Sequence, residues 1–138
     1  MHPERIFDHV MCFGTFDIFH PGHRYYLSEA IKHGRKLTVV IARDARVENL
    51  KGRAPQDPED IRLKNVQEAF PDAHVILGHE SDIFTPLREL KPDVLVFGYD
   101  QRVPEDTLKE LFPSIAIERI AGFEVEKWKS SKLRKRAE

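Results

Sequence analysis

The chain has a single cysteine among 138 residues, Cys12. No disulfide framework can form within it, and a reducing compartment is its natural setting. No apolar run approaches the roughly 18 to 20 residues of a membrane-spanning helix, and the opening "MHPERIFDHV" lacks the apolar core of a secretory leader. These absences predict a cytoplasmic protein with no membrane partner. An excess of charge is missing as well: Lys and Arg number 22 against 23 Asp and Glu. No overall field draws the chain to nucleic acid, and any anion site must be local. Repeats and low-complexity stretches are absent, and the length suits one domain over residues 1–138. The one compositional shift is the basic tail "KWKSSKLRKR", Lys127 to Arg136.

Several catalytic signatures are also lacking. There is no Walker loop G-x-x-x-x-G-K-[ST], no dinucleotide G-x-G-x-x-G and no nucleophile elbow G-x-S-x-G. What is there is an alternation of short apolar runs with amphipathic segments. The runs are His9 to Gly14, Leu37 to Ala42, His74 to Gly78, Asp93 to Gly98 and Ile115 to Ile120. Most are near-continuous, as strands buried on both faces should be. Between them Pro21 to His33, Pro58 to Phe70, Ile83 to Leu90 and Pro104 to Leu111 have helical spacing, and Pro21, Pro58 and Pro104 each open a helix. The pattern predicts an α/β fold: a Rossmann-like, doubly wound sheet of five parallel strands with helices on both faces. Ligands in such sheets bind beyond the carboxyl ends of the strands, where the strand order reverses.

The stretch "CFGTFDIFHPGH", Cys12 to His23, lies at one such strand end. Gly14 permits a tight turn or a close approach of ligand to backbone. Pro21 and Gly22 begin a helix whose unpaired N–H groups and dipole suit an anion. His20 and His23, three residues apart, face nearly the same side and can donate hydrogen bonds to phosphate oxygens, with added charge if protonated. Two isolated histidines would be read as mere helix caps; the Gly-Thr strand end beside them favours a phosphate site. No cluster of cysteines or carboxylates accompanies them, which argues against zinc. The strand ends "ARD" (Ala42 to Asp44) and "GYDQ" (Gly98 to Gln101) are placed to line the same crevice.

"GTFDIFHPGH" resembles the signature of the H-x-G-H nucleotidyltransferase superfamily, in its cytidylyltransferase-like branch, and the resemblance covers essentially the whole chain. It implies transfer of a nucleoside monophosphate from a nucleoside triphosphate to a phosphate-bearing acceptor. Pyrophosphate is released, Mg²⁺ or another divalent cation accompanies the triphosphate, and no covalent enzyme intermediate forms. On this sequence the resemblance makes His20, His23 and Lys51 catalytic. Gly14, Thr15, Phe16, Pro21, Gly22, Asp100, Ser130 and Ser131 join the two histidines as nucleotide-binding residues, and Asp17 orients the loop. Arg53 and Arg62 become ligands of the acceptor or of phosphate, and Lys127, Lys129 and Lys132 add charge. The metal's own ligands are not assigned, and a homodimer is common among such proteins.

Within the branch, "GTFDIFHPGH", "ARD…KGRAP", "KPD…GYDQ" and "SSK" look like the short archaeal-type FAD synthases. The implied reaction is FMN adenylylation by ATP, with Phe123 or Trp128 against an aromatic ring. The alternatives are a CTP-dependent glycerol-3-phosphate cytidylyltransferase and a non-catalytic nucleotide-binding domain. Tyr99, where the glycerol-phosphate enzymes often show an acid, and the absence of their closing Thr-rich pattern speak against the first. The intact histidine pair speaks against the second.

Overall fold

Apolar continuity translates directly into strands. The computed structural model describes residues 6–80, 82–99 and 101–121. It runs β1 (Phe7–Gly14), α1 (Pro21–Ile31), β2 (Gly34–Ile41), α2 (Asp44–Lys51), α3 (Glu59–Ala69), β3 (His74–Leu77), α4 (Thr85–Leu90), β4 (Val94–Gly98), α5 (Glu105–Leu111) and β5 (Ala116–Ile120). All strand pairs are parallel, in the order β3-β2-β1-β4-β5. From β1 the chain winds outward to β3, then returns to lay β4 on the other side of β1. The reversal of order therefore falls between β1 and β4, as the doubly wound reading requires.

Successive residues of a strand point to opposite faces, and the core divides accordingly. Val10 and Cys12 of β1 pack with Leu27 and Ala30 of α1 and Val66 of α3 on one face. Met11 of β1 packs with Leu87 of α4 and Leu108 of α5 on the other. Both faces are covered, so the strands are hydrophobic throughout and their apolar runs are visible in the sequence. Cys12 is fully buried, and burial pushes its thiol up to about 12, which leaves it an inert part of the core. No helix among the described residues is long and apolar enough to cross a membrane.

Several elements differ from the sequence pattern; α1 stops at Ile31 and α4 starts at Thr85, each two residues inside its expected span. β1 and β2 start earlier than their apolar runs, at Phe7 and Gly34, because their first residues pair in the ladder while remaining partly exposed. Pro58 and Pro104 stand at the N-cap, one position before the helices they introduce. A further difference is a helix absent from the sequence pattern: α2, "DARVENLK", follows the "ARD" strand end. Its only buried residue is Val47, so it has no apolar stripe to betray it. It does carry end signals, with Asp44 in the first turn, Lys51 in the last and Gly52 at its C-cap with φ 82°.

Gly52 is where glycine is needed, since a side chain at that φ is strained even though no atom lies within 4 Å of the added Cβ. Gly52→Ala is expected to lower stability by about 1 kcal/mol, and Gly52→Asn by less. Urea denaturation followed by circular dichroism measures both, and equal stability of Gly52→Ala and the wild type would contradict the assignment.

Candidate active site

The carboxyl ends of all five strands open into one cleft of about 1060 Å³. Gly14 of β1, Gly78 after β3, and Gly98 and Tyr99 at the end of β4 lie on its walls, as do His20, Gly22 and His23 from the start of α1. At the reversal point β1 and β4 diverge, their last paired residues being Cys12 and Val96. The Gln101 side chain spans the gap that follows. Its amide nitrogen donates to the Phe13 carbonyl at 2.7 Å and its oxygen accepts from the Gly98 N–H at 3.0 Å. Gln101 thus continues the ladder by one rung of side chain and fixes the mouth of the cleft between the two strands.

The loop from β1 to α1 is tightly specified. Phe16 and Ile18 both adopt left-handed backbone, with φ 55° and 50°, a conformation that costs a residue with a side chain roughly 1–2 kcal/mol. Between them Asp17 is buried, and its carboxylate accepts the N–H groups of Gln56 and Asp57, each at 2.9 Å. That clamp ties the motif loop to the segment before α3. Gly14 has a packing reason of its own: a Cβ there would sit 2.6 Å from the Phe16 ring. The ring is 3% exposed, stacks on Tyr26 and meets His23 edge-on.

Arg62 is a correction. It was expected at a phosphate, yet it is 0% exposed and is not among the residues that line the cleft. Its Nε donates to the Asp57 carbonyl at 3.0 Å, one terminal nitrogen to the Thr15 carbonyl at 2.8 Å, and the other to the Asp44 carboxylate at 2.6 Å. A guanidinium so enclosed reaches no ligand; it ties the motif loop, the start of α2 and the approach to α3 together. The same bond takes up the Thr15 carbonyl, one of the backbone groups expected near the nucleotide.

The histidines revise the expected helix-end site more deeply. Pro21 has no N–H to offer, the Gly22 N–H donates to His20 Nδ1 at 3.1 Å, and the N–H groups of His23 and Arg24 point to the His20 carbonyl. The His20 N–H in turn donates to His23 Nδ1 at 3.3 Å, completing a reciprocal capping box. The first N–H groups of α1 are therefore spent within the protein and do not face a ligand. What faces the cleft instead is the imidazole pair, stacked with ring centroids 3.7 Å apart. Because each Nδ1 accepts, each ring carries its proton on Nε2. Every imidazole then relays a backbone donor: N–H to Nδ1 on one side, Nε2–H on the other, each bond polarising the next.

Both rings are neutral at physiological pH. Burial pushes His20 down to about 4, and burial together with the neighbouring His20 pushes His23 down to about 3. Protonating Nδ1 would also break the caps, so burial and geometry both favour the neutral rings.

The remaining expected residues divide. Lys51, the last residue of α2, and Arg53, just beyond it, are exposed and line the cleft. Asp100, Phe123, Lys127, Trp128, Lys129, Ser130, Ser131 and Lys132 lie outside the described residues. Sequence reasoning missed Arg46, which lines the cleft from α2, and the bridging role of Gln101. Arg43, beside the cleft, braces the β3 end by donating to the Gly78 carbonyl at 2.8 Å, and it pairs with Glu59 at 3.3 Å.

The tautomer assignment predicts a ¹⁵N spectrum at pH 7 in which both imidazoles show an unprotonated Nδ1 and a protonated Nε2; a charged ring at either position would contradict it. The same depression has a thermal consequence. The unfolded chain takes up protons near the ordinary value of about 6.5, and the folded chain only near 4 and below. Stability is therefore complete above that range and falls as pH drops through it. A His20→Asn/His23→Gln variant, which keeps capping groups at both positions, is expected to lose less of its melting temperature between pH 7 and pH 4 than the wild type.

Comparison with known proteins agrees with this geometry. A family model described as cytidylyltransferase-like matches residues 11–136. The FAD synthase of Thermoplasma acidophilum is 40% identical over 131 residues, spanning 92% of this chain and 92% of its own. That of Methanohalophilus mahii is 44% identical over 101 residues, 73% of this chain and 70% of its own. Among solved structures, the lipopolysaccharide core biosynthesis protein from Thermoplasma volcanium superposes with a TM-score of 0.78 at 38% identity, covering 84% of this chain and 98% of that one. A protein of unknown function from Archaeoglobus fulgidus shares the fold, with a TM-score of 0.62 at 22% identity. With the H-x-G-H pair at the reversal point of a five-stranded parallel sheet and family likeness along nearly its whole length, the chain belongs to the cytidylyltransferase-like family and is a nucleotidyltransferase.

Proposed function

We propose that the protein is an FMN adenylyltransferase: the phosphate of FMN attacks the α-phosphorus of ATP, the new P–O–P bond forms as the α–β bond breaks, and FAD and pyrophosphate leave. The observation that carries the reading is the stacked imidazole pair at the start of α1, lining a cleft large enough for two substrates. Its volume of about 1060 Å³ is at or beyond the upper end of the range of roughly 300–1,000 Å³ for single-ligand pockets. FAD synthases among the relatives support the choice of acceptor.

Such a transfer needs little covalent help from the protein; it needs the two phosphates held in line and the developing charge met by fixed donors. His20 and His23 meet it through Nε2, and their stacking sets the two donors side by side. A neutral donor suits this step, because it gains in hydrogen-bond strength as charge grows on the phosphate oxygens without already binding the ground state through full charge. Lys51 and Arg53 supply the cationic counterpart from the β2 side.

No group of three or more metal-binding side chains occurs among the described residues. This donor set fits a divalent ion that arrives on the triphosphate's own oxygens, as Mg²⁺ commonly does; the ion would offset phosphate charge. We further assign the protein as a cytoplasmic enzyme of small-molecule substrates, one nucleotidyltransferase domain over residues 1–138.

Turnover with ATP or CTP, each against FMN and glycerol 3-phosphate, tests the reading; use of CTP with glycerol 3-phosphate and none of FMN would overturn it. His23→Ala is expected to slow pyrophosphate release by roughly 10²–10³-fold, the cost of one fixed transition-state donor, with ATP binding largely kept in titration calorimetry. Equal losses in binding and rate would instead mark His23 as a ground-state contact.

A further inference from the structure

A surface helix normally turns an apolar stripe of residues i, i+3, i+4 and i+7 toward the core. In α2 the stripe is Arg43 at the cap, then Arg46, Val47, Leu50 and Lys51, and all five line the cleft. Only Val47 is buried. Leu50 is 69% exposed, the most exposed of the large hydrophobic residues among those described. Arg46 is half-buried on the cleft wall and has no hydrogen-bond or ion-pair partner among the described residues. An unpaired cation and an exposed leucine on one cleft-facing stripe suit a ligand that is both anionic and apolar. Arg43, by contrast, is held by the Gly78 carbonyl and Glu59. Ile83 and Phe84, entering α4, line the same cleft with apolar side chains.

We propose that the inward stripe of α2 is the acceptor-binding wall, with Arg46 holding the acceptor's terminal phosphate and Leu50 covering its ring system. The inference rests on the FMN reading and adds the residues that select the acceptor. A planar guanidinium takes a phosphomonoester through two parallel hydrogen bonds. One turn along, Leu50 offers a surface that a three-carbon alcohol phosphate would leave in water but a fused aromatic ring covers. Cation and leucine on one helix face therefore select an acceptor that is both phosphorylated and large.

Binding of FMN and of riboflavin, read by flavin fluorescence, together with steady-state KM values for FMN and ATP, tests this on the full chain. Riboflavin keeps the ring and lacks the phosphate, so the two ligands separate the two roles. Arg46→Gln is expected to weaken FMN by about 10–100-fold, the loss of a charge-assisted contact, and to leave riboflavin binding and the KM for ATP within about twofold of wild type. Leu50→Ser, at an exposed position where folding is little affected, is expected to weaken FMN and riboflavin alike by several-fold. A raised KM for ATP in Arg46→Gln with FMN unchanged would move that residue to the nucleotide or pyrophosphate and overturn the assignment. So would wild-type FMN turnover with both variants unaffected. A wild type that does not bind or use FMN would overturn the FMN reading itself, a result visible before any variant is made.

Discussion

The buried guanidinium of Arg62 is the constraint on which the site depends. Enclosing a cation is costly unless its charge and donors are met, and here they are met by the Asp44 carboxylate and the carbonyls of Asp57 and Thr15. Those three acceptors come from the start of α2, the segment before α3 and the motif loop. Asp17 makes the reciprocal bond, its carboxylate holding the N–H groups of Gln56 and Asp57. Donor and acceptor thus run both ways between the two segments. The left-handed turns at Phe16 and Ile18 persist inside that double clamp, and α2 is held at the cleft by the same arginine.

A second dependence links structure to chemistry within one pair of rings. Capping α1 and the proposed contact with phosphate look like competing uses of His20 and His23, yet an imidazole has two nitrogens, and the proposal gives each a separate task. Nδ1 accepts a backbone N–H and closes the helix, which leaves the proton on Nε2. Aspartate would cap as well but, being an acceptor only, could not relay a donor.

Much of the fold was legible because strands buried on both faces must be apolar along their length, and all five runs became strands in one parallel sheet. The helix α2 was not, because its inward stripe faces a cleft and carries two arginines, a lysine and an exposed leucine where a core-facing helix would carry aliphatic residues. Arg62 was misplaced for a related reason: an arginine on a polar helix looks the same whether it points to solvent or into a buried clamp, and the acceptors lie at Asp44, Asp57 and Thr15, up to 47 residues away. Gln101 could be seen only as part of a motif, since its two partners lie on different strands.

The sequence by itself determined the strand set, the position of the motif after β1 and the family, and with the family the type of reaction. These follow from patterns spanning a few neighbouring residues, and such patterns survive in a linear text. Tertiary structure decided which arginine is sealed inside and which faces the cleft, and it decided that the two histidines are neutral. Charge state and access depend on what surrounds a group in space, and the acceptors that enclose Arg62 come from segments the chain brings together only on folding.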